Sequence, residues 1–195
     1  MYPSRFRLRS LKKYLVAGVG RLCSEHTVFE ADPTFHLFFM PPGYNSLMNV
    51  SSTRPSSLED AIALAVSAHK GQLDKAGAPY ILHPLRLMMA VETEHQKMAA
   101  LLHDVVEDCD MTLQQLAEWG YPEEVVRAID HLTRREGETY RQFTERAGCD
   151  PVARVVKIAD LEDNMNICRL PSVEKKSLGR LERYHKAWLY LKSLS

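Results

Sequence analysis

Apolar and polar positions follow the period of an α-helix from residue 58 to the end of the chain. In the first segment, apolar side chains recur three and four positions apart and share one helix face. These side chains are Ala61, Ile62, Ala65 and Val66. Ser56 and Glu59 have the S-x-x-E spacing of a capping box and predict where this helix begins. Because the chain carries almost no strand signal, the predicted class is all-α.

The same periodicity predicts seven further helices after a loop formed by Gly71 and Lys75–Pro79. They are expected to begin at Pro84 (and end near Val91), near Glu94, at Thr112 (capped with Gln115, ending at Trp119), at Pro122, at residue 139, at Pro151 and near Val173. Short connections imply that each helix packs against its sequence neighbours.

The charge distribution separates residues 1–57 from the rest. The 195 residues include 25 basic and 25 acidic side chains. Residues 1–57 hold seven Lys or Arg and three Asp or Glu, a charge of +4, so residues 58–195 carry −4. We expect residues 1–57 to be a poorly ordered extension and linker, and residues 58–195 to be one domain. A signal peptide, a transit peptide and a membrane-surface helix are alternatives for the basic start.

Composition excludes several classes of protein. A chain with balanced charge is not a polycation that coats nucleic acid, so no nucleic-acid partner is expected. The four cysteines form no C-x-x-C pair, which favours free thiols in a reducing cytoplasm. No apolar run reaches the length of a transmembrane helix. Nothing in the pattern specifies the oligomeric state.

The third predicted helix carries the most informative residues. His103, Asp104, Glu107 and Asp108 interrupt an apolar run at positions i, i+1, i+4 and i+5, which share one face of a helix. Three carboxylates and an imidazole destabilise one another unless a positive charge lies among them. The alternative is a solvent-facing stripe, but such a stripe would normally include Lys, Gln or Arg, and this one has none.

Two other positions add metal-ligand chemistry. Asp160 ends an apolar run, with Asn164 one turn later, and His83 is followed by Pro84. Each alone is more often structural, as a cap, an ion-pair partner or a core histidine. Together they predict a centre of two imidazoles and two carboxylates: His83, His103, Asp104 and Asp160. Such a set suits Mn²⁺, Fe²⁺, Co²⁺ or Zn²⁺ with open positions for water.

Three segments of the chain resemble the motifs of HD-domain metal-dependent phosphohydrolases, and in particular the hydrolase domain of RelA/SpoT proteins. They are residues 68–84 (AHKGQ…GAPYILHP), 101–108 (LLHDVVED) and 157–165 (KIAD…NM). Their order and spacing agree with the family over roughly residues 58–190. The resemblance implies an HD-domain helical bundle.

The resemblance also implies an activity. The family removes the 3′-pyrophosphate of the nucleotide (p)ppGpp, giving pyrophosphate and GDP or GTP, and usually needs Mn²⁺. At 195 residues the chain is expected to lack a synthetase domain and to be a stand-alone hydrolase. The implied roles are metal ligands (His83, His103, Asp104, Asp160), acidic residues that orient or deprotonate the attacking water (Glu107, Asp108) and residues that line the nucleotide pocket (Tyr80, Asn164). We further expect Lys75, with Arg134 or Arg183, to bind the phosphates of the substrate.

Two positions depart from the family pattern. Asp74 stands where the bifunctional enzymes typically have an arginine near the base, and Leu161 stands where they have a basic residue. Both favour an alternative in which the enzyme hydrolyses another nucleotide, such as NADPH or a nucleoside 5′-phosphate. A non-catalytic HD-fold binding module is the other alternative, and the intact ligand set argues against it.

Overall fold

The computed structural model describes residues 55–109, 111–169, 172 and 175–194. Within these ranges all regular structure is helical except one isolated bridge between Leu73 and Pro79. The all-α prediction is therefore confirmed. The expected extension lies outside the described residues as far as residue 54, so the division at residue 57 stays a prediction. No helix in the described part is long and apolar enough to cross a membrane.

Nine α-helices and one 3₁₀ turn form the described part of the chain. They are α1 (Leu58–Ala68), α2 (Leu82–Ala90), α3 (Glu94–Leu102), α4 (Val105–Asp108), α5 (Leu113–Glu118), α6 (Glu123–Leu132), α7 (Tyr140–Cys149), α8 (Pro151–Met165), the 3₁₀ turn Ile167–Arg169 and α9 (Lys175–Lys192). The predicted capping box of Thr112 and Gln115 is present at the start of α5.

Helix α3 lies at the centre of the molecule and contacts α1, α2, α6 and α8. Its C-terminal half, Met98–Leu102, is completely enclosed. Ala99 and Ala100 let neighbouring helices approach closely, while Leu101 and Leu102 fill the space between them. The polar residues that follow Leu102 are therefore attached to a fully buried helix end.

A second, smaller cluster joins α7, α8 and α9. Leu161 of α8 packs with Ala187 and Leu191 of α9, and Tyr140 of α7 lies against them. This cluster fixes the outer face of α8, whose inner face packs on α3 and α6. Helix α8 is thus held on both sides, which restrains the side chains near its C-terminal end.

The prediction of one continuous helix from Glu94 through Asp108 was wrong. Helix α3 ends at Leu102, and α4 starts at Val105. His103 gives the physical reason, because its Nδ1 lies 2.8 Å from the carbonyl oxygen of Ala100. That carbonyl is the acceptor that the amide of Asp104 would use in a continuous helix.

Two helix starts also differ from prediction. Ser57 and Asp60 form the capping box of α1, whereas the Ser56 hydroxyl donates to the carbonyl of Trp119 at 2.6 Å and connects α1 to the end of α5. Helix α2 begins at Leu82, so His83 lies inside its first turn. A proline is tolerated in a first turn, which is why Pro84 does not delay the helix.

Candidate metal centre

Three buried side chains from three helical segments meet beside the end of α3. His83 of α2, His103 of the α3–α4 turn and Asp160 of α8 each offer one ligand atom, and these atoms all lie within 4.8 Å of one another. The three residues are 6%, 5% and 7% exposed. Ligands about 2 Å from one cation are themselves roughly 3–4 Å apart, so this spacing and this mixed N/O chemistry fit a divalent metal.

Asp104 lies at the edge of this cluster. Its Oδ2 is 2.9 Å from Nε2 of His103 and 3.9 Å from Nε2 of His83. The Tyr80 hydroxyl donates to the same oxygen. Tyr80 was expected to line the nucleotide pocket, and its hydroxyl lies on the predicted ligand Asp104. Asp104 is thereby oriented toward both imidazoles.

Both histidines turn Nε2 toward the cluster and use Nδ1 elsewhere. Nδ1 of His103 lies 2.8 Å from the Ala100 carbonyl, which can only accept a hydrogen bond. Nδ1 of His83 lies 2.6 Å from Oδ2 of Asp163. A proton on each Nδ1 leaves each Nε2 lone pair available for a metal.

Asp160 is surrounded by donors. Lys157 Nζ lies 2.8 Å from its Oδ2, and the Asn164 amide donates to its Oδ1 at 2.5 Å and to its backbone carbonyl at 3.0 Å. Burial raises the pKa of Asp160, but the charge of Lys157 and the hydrogen bond from His83 outweigh burial and hold the pKa well below its usual range. Asp160 is therefore ionised and can serve as a metal ligand. Asn164, predicted to line the nucleotide pocket, contacts Asp160.

When no cation is bound, the charged groups of the centre favour protonation of its histidines. Burial lowers the pKa of His83, but hydrogen bonds to Asp160 and Asp163 more than offset it and raise the pKa to about 9. The pKa of His103 is raised against burial by Asp104, and that of Asp104 is lowered to about 2, chiefly by His103 acting against burial. A metal would take the place of protons held between these groups.

Glu107 and Asp108 lie on α4 at the exposed side of the centre. The backbone amide of Arg134 lies 3.4 Å from Oε2 of Glu107. Partial burial and the charges of Asp104 and Glu107 raise the pKa of Asp108 to about 6. Two solvent-facing carboxylates next to a buried ligand set can accept a proton from water.

The predicted substrate loop carries a basic side chain toward α9. Lys75 is exposed at the tip of the loop, and its pKa is lowered by desolvation and by the charge of Arg180. Nε of Arg180 is buried and lacks a hydrogen-bond partner. Arg183 instead lies 5.4 Å above the Tyr140 ring. Lys75 and Arg180 are therefore two cations whose positive charges repel each other on this side.

Asp74 points into its own loop. Its Oδ1 accepts from the amides of Ala76 at 2.8 Å and Ala78 at 2.9 Å, and its Oδ2 lies 3.4 Å from Nη1 of Arg169. This carboxylate orders the loop around Gly77, which has a φ of 83°. Arg169 thus supplies a basic partner for the carboxylate that departs from the family pattern at position 74.

The sequence patterns did not predict four residues that interact with the expected site residues: Lys157, Asp163, Arg169 and Arg180. Asp163 and His83 are separated by 80 positions, and Arg169 and Asp74 by 95. Periodicity carries no information about such pairs. Only the i, i+3 spacing of Lys157 and Asp160 on one helix was a local signal.

The chain is similar to several proteins whose names state an activity on guanosine nucleotides. It is 33% identical over 150 residues to the "guanosine-3′,5′-bis(diphosphate) 3′-pyrophosphohydrolase MESH1" of Danio rerio, which covers 70% of this chain and 82% of that protein. It is 36% identical over 138 residues, 63% of this chain, to a "probable GTP pyrophosphokinase" of Mycobacterium leprae. A Vibrio cholerae protein named as a 3′-pyrophosphohydrolase of the same nucleotide is 30% identical over 152 residues, 68% of this chain.

The bacterial relatives are much longer than the matched region. The match spans only 17% of the Mycobacterium protein and 22% of the Vibrio protein. The fold is similar to a solved structure described as a metazoan orthologue of SpoT that hydrolyses ppGpp, with a TM-score of 0.58, 22% identity, and coverage of 72% of this chain and 88% of that one. No family model matches the chain.

Proposed function

The chain belongs to the guanosine-3′,5′-bis(diphosphate) 3′-pyrophosphohydrolase family of HD-type hydrolases, and we propose that it catalyses that family's reaction. Water attacks the phosphorus attached to the 3′ oxygen of (p)ppGpp and the bond from that phosphorus to the 3′ oxygen breaks. The products are pyrophosphate and GDP or GTP. The relatives and the solved structure named above give no support to the alternatives of another nucleotide or a non-catalytic module.

One observation carries this proposal. His83, His103 and Asp160 place one ligand atom each within 4.8 Å in a buried site, with Asp104 next to both histidines. We propose that these four residues hold Mn²⁺. A divalent cation bound there would offset charge on the phosphoryl oxygens and lower the pKa of water.

Glu107 and Asp108 supply the proton acceptors in this account. Both are exposed on α4, immediately after the ligand Asp104. Glu107 accepts the proton of the attacking water, and the contact with the Arg134 amide restrains its carboxylate. Asp108, whose pKa is raised to about 6, shares the proton with Glu107.

We propose that Lys75 and Arg180 bind the phosphate groups. Their side chains are close enough for the charge of Arg180 to lower the pKa of Lys75, and no acidic partner neutralises either one among the described residues. An anionic substrate would relieve this repulsion. The pair supplies positive charge locally to a part of the chain that carries −4 overall.

We also propose that the enzyme works in the cytoplasm. Among the described residues Cys149 and Cys168 are free thiols, which a reducing compartment maintains. Fractionation of cells that express the full chain would test this placement. Recovery of the protein in the fraction of an oxidising compartment would contradict the proposed location.

A substrate panel tests the proposed reaction. The full chain is purified with Mn²⁺ and given ppGpp, pppGpp, NADPH and a set of nucleoside 5′-phosphates. We expect pyrophosphate with GDP from ppGpp and pyrophosphate with GTP from pppGpp. Turnover of NADPH or a nucleoside 5′-phosphate without release of pyrophosphate from ppGpp would contradict the proposal.

A further inference from the structure

A buried carboxylate outside the ligand set contacts one of the proposed ligands. Asp163 is 10% exposed and its Oδ2 lies 2.6 Å from Nδ1 of His83. It follows the ligand Asp160 by three positions on α8, so the two carboxylates emerge from the same side of that helix. His83 therefore lies between them, with Nε2 3.3 Å from Asp160 and Nδ1 on Asp163.

Two arginines hold Asp163 in this position. Arg86 donates from Nε to Oδ1 at 2.6 Å and from Nη2 to Oδ2 at 3.0 Å, which is a two-point contact. Arg169 lies 3.0 Å from Oδ2 and also donates to the backbone carbonyl of Asp163 at 2.9 Å. Every neighbour of this carboxylate named here is a donor, so Asp163 acts only as an acceptor.

We propose that Asp163 is a positioning residue that fixes the His83 ring with its proton on Nδ1 and its Nε2 lone pair toward the metal. An acceptor-only partner at Nδ1 requires a proton there, and the remaining nitrogen is then the ligand. The two guanidinium groups keep the carboxylate from turning away. The inference rests on the proposed metal site, but it does not depend on which nucleotide is hydrolysed.

The two histidines of the centre provide an internal comparison. His103 receives its orientation from the neutral Ala100 carbonyl on its own helix. His83 receives it from a charged side chain on another helix, supported by Arg86 of α2 and Arg169 of the 3₁₀ turn. A side-chain substitution can therefore remove the orientation of His83, whereas that of His103 is built into the backbone.

Metal binding without substrate tests this role. Metal-free full-length protein is titrated with Mn²⁺, and the free ion is counted by its electron paramagnetic resonance signal. Asp163→Asn should weaken Mn²⁺ binding by about 10- to 100-fold. Glu162→Gln is the matched control, because it removes a charge from the neighbouring residue. The Glu162 carboxylate accepts a hydrogen bond from Nε1 of Trp188 at 2.8 Å. Binding by Asp163→Asn as tight as that of Glu162→Gln would overturn the proposal.

A second measurement on the unaltered protein covers the case in which Asp163→Asn does not fold. The protein is labelled with ¹⁵N at histidine and loaded with diamagnetic Zn²⁺. Long-range ¹H–¹⁵N spectra should show the proton of His83 on Nδ1 and the metal on Nε2. A proton on Nε2 would overturn the role of Asp163, while absence of ppGpp hydrolysis with this tautomer intact would affect only the proposed function.

Discussion

His83 connects the protonation of the centre to metal binding. The surrounding carboxylates raise its pKa to about 9, so a proton resides on the metal-free site at neutral pH. A metal must displace that proton, and binding therefore becomes tighter as pH rises. This behaviour follows from the contacts of one side chain.

We expect the apparent Kd for Mn²⁺ to fall by at least about tenfold per pH unit between pH 6 and 8, because binding displaces the proton of His83, and more steeply where the proton of His103 is displaced as well. The measurement is a set of Mn²⁺ titrations at constant ionic strength. His95→Ala is a suitable control, since His95 pairs with Glu124 on the surface at 3.5 Å and should leave the slope unchanged. A Kd that does not depend on pH would contradict the assignment of His83 as a ligand.

Turnover should depend on Glu107, whereas metal binding should not. Glu107→Gln keeps the size of the side chain and removes its ability to accept a proton. We expect kcat for pyrophosphate release to fall by about 10²–10⁴-fold, while Mn²⁺ binds as in the unaltered protein. Glu118→Gln, on α5, should leave kcat unchanged. Loss of Mn²⁺ binding in Glu107→Gln would assign Glu107 to the metal instead.

At the scale of elements, Arg146 makes several contacts with the loop between α6 and α7. Arg146 of α7 contacts the Glu138 carboxylate with two nitrogens at 2.8 Å each, and it donates to the carbonyls of Asp130 at 2.7 Å and Thr133 at 2.8 Å. The loop also carries Arg134, whose amide contacts Glu107. Arg146 thus connects packing of α6 and α7 to the edge of the site.

Arg146→Ala should lower the free energy of unfolding by about 2–3 kcal/mol, because several polar groups of the loop lose a charged partner. Urea denaturation of the full chain measures this change. Arg141→Ala is the matched control on the same helix, since Arg141 is exposed and pairs with Glu145 one turn away. Equal stability of the two variants would contradict the role given to Arg146.

The elements also show which parts of the structure local sequence patterns can predict. The capping box of Thr112 and the start of α8 at Pro151 depend on neighbours within one turn, and both were predictable. The interruption at His103 was not, because a side chain there competes for a backbone acceptor of its own helix. Periodicity describes helix faces and says nothing about such competition.

At the scale of the whole molecule, the fold class and the residues that meet at the centre followed from motifs, but their supporting contacts did not. His83, His103, Asp104 and Asp160 were predicted as a set, and the fold brings them together. Asp163 contacts His83, which lies 80 positions away in sequence, and Arg86, which lies 77 positions away. These contacts depend on tertiary packing, which single-sequence patterns do not encode.

We propose that this centre hydrolyses ppGpp with a bound metal. The most direct test measures pyrophosphate release from ppGpp by chelator-treated full-length protein before and after addition of Mn²⁺. Asp104→Ala is compared with Asp130→Ala, which removes an exposed carboxylate paired with Arg135 at 2.9 Å. We predict release only after Mn²⁺ is added, in the unaltered protein and in Asp130→Ala, and none in Asp104→Ala. Release without metal, or undiminished release by Asp104→Ala, would contradict the account.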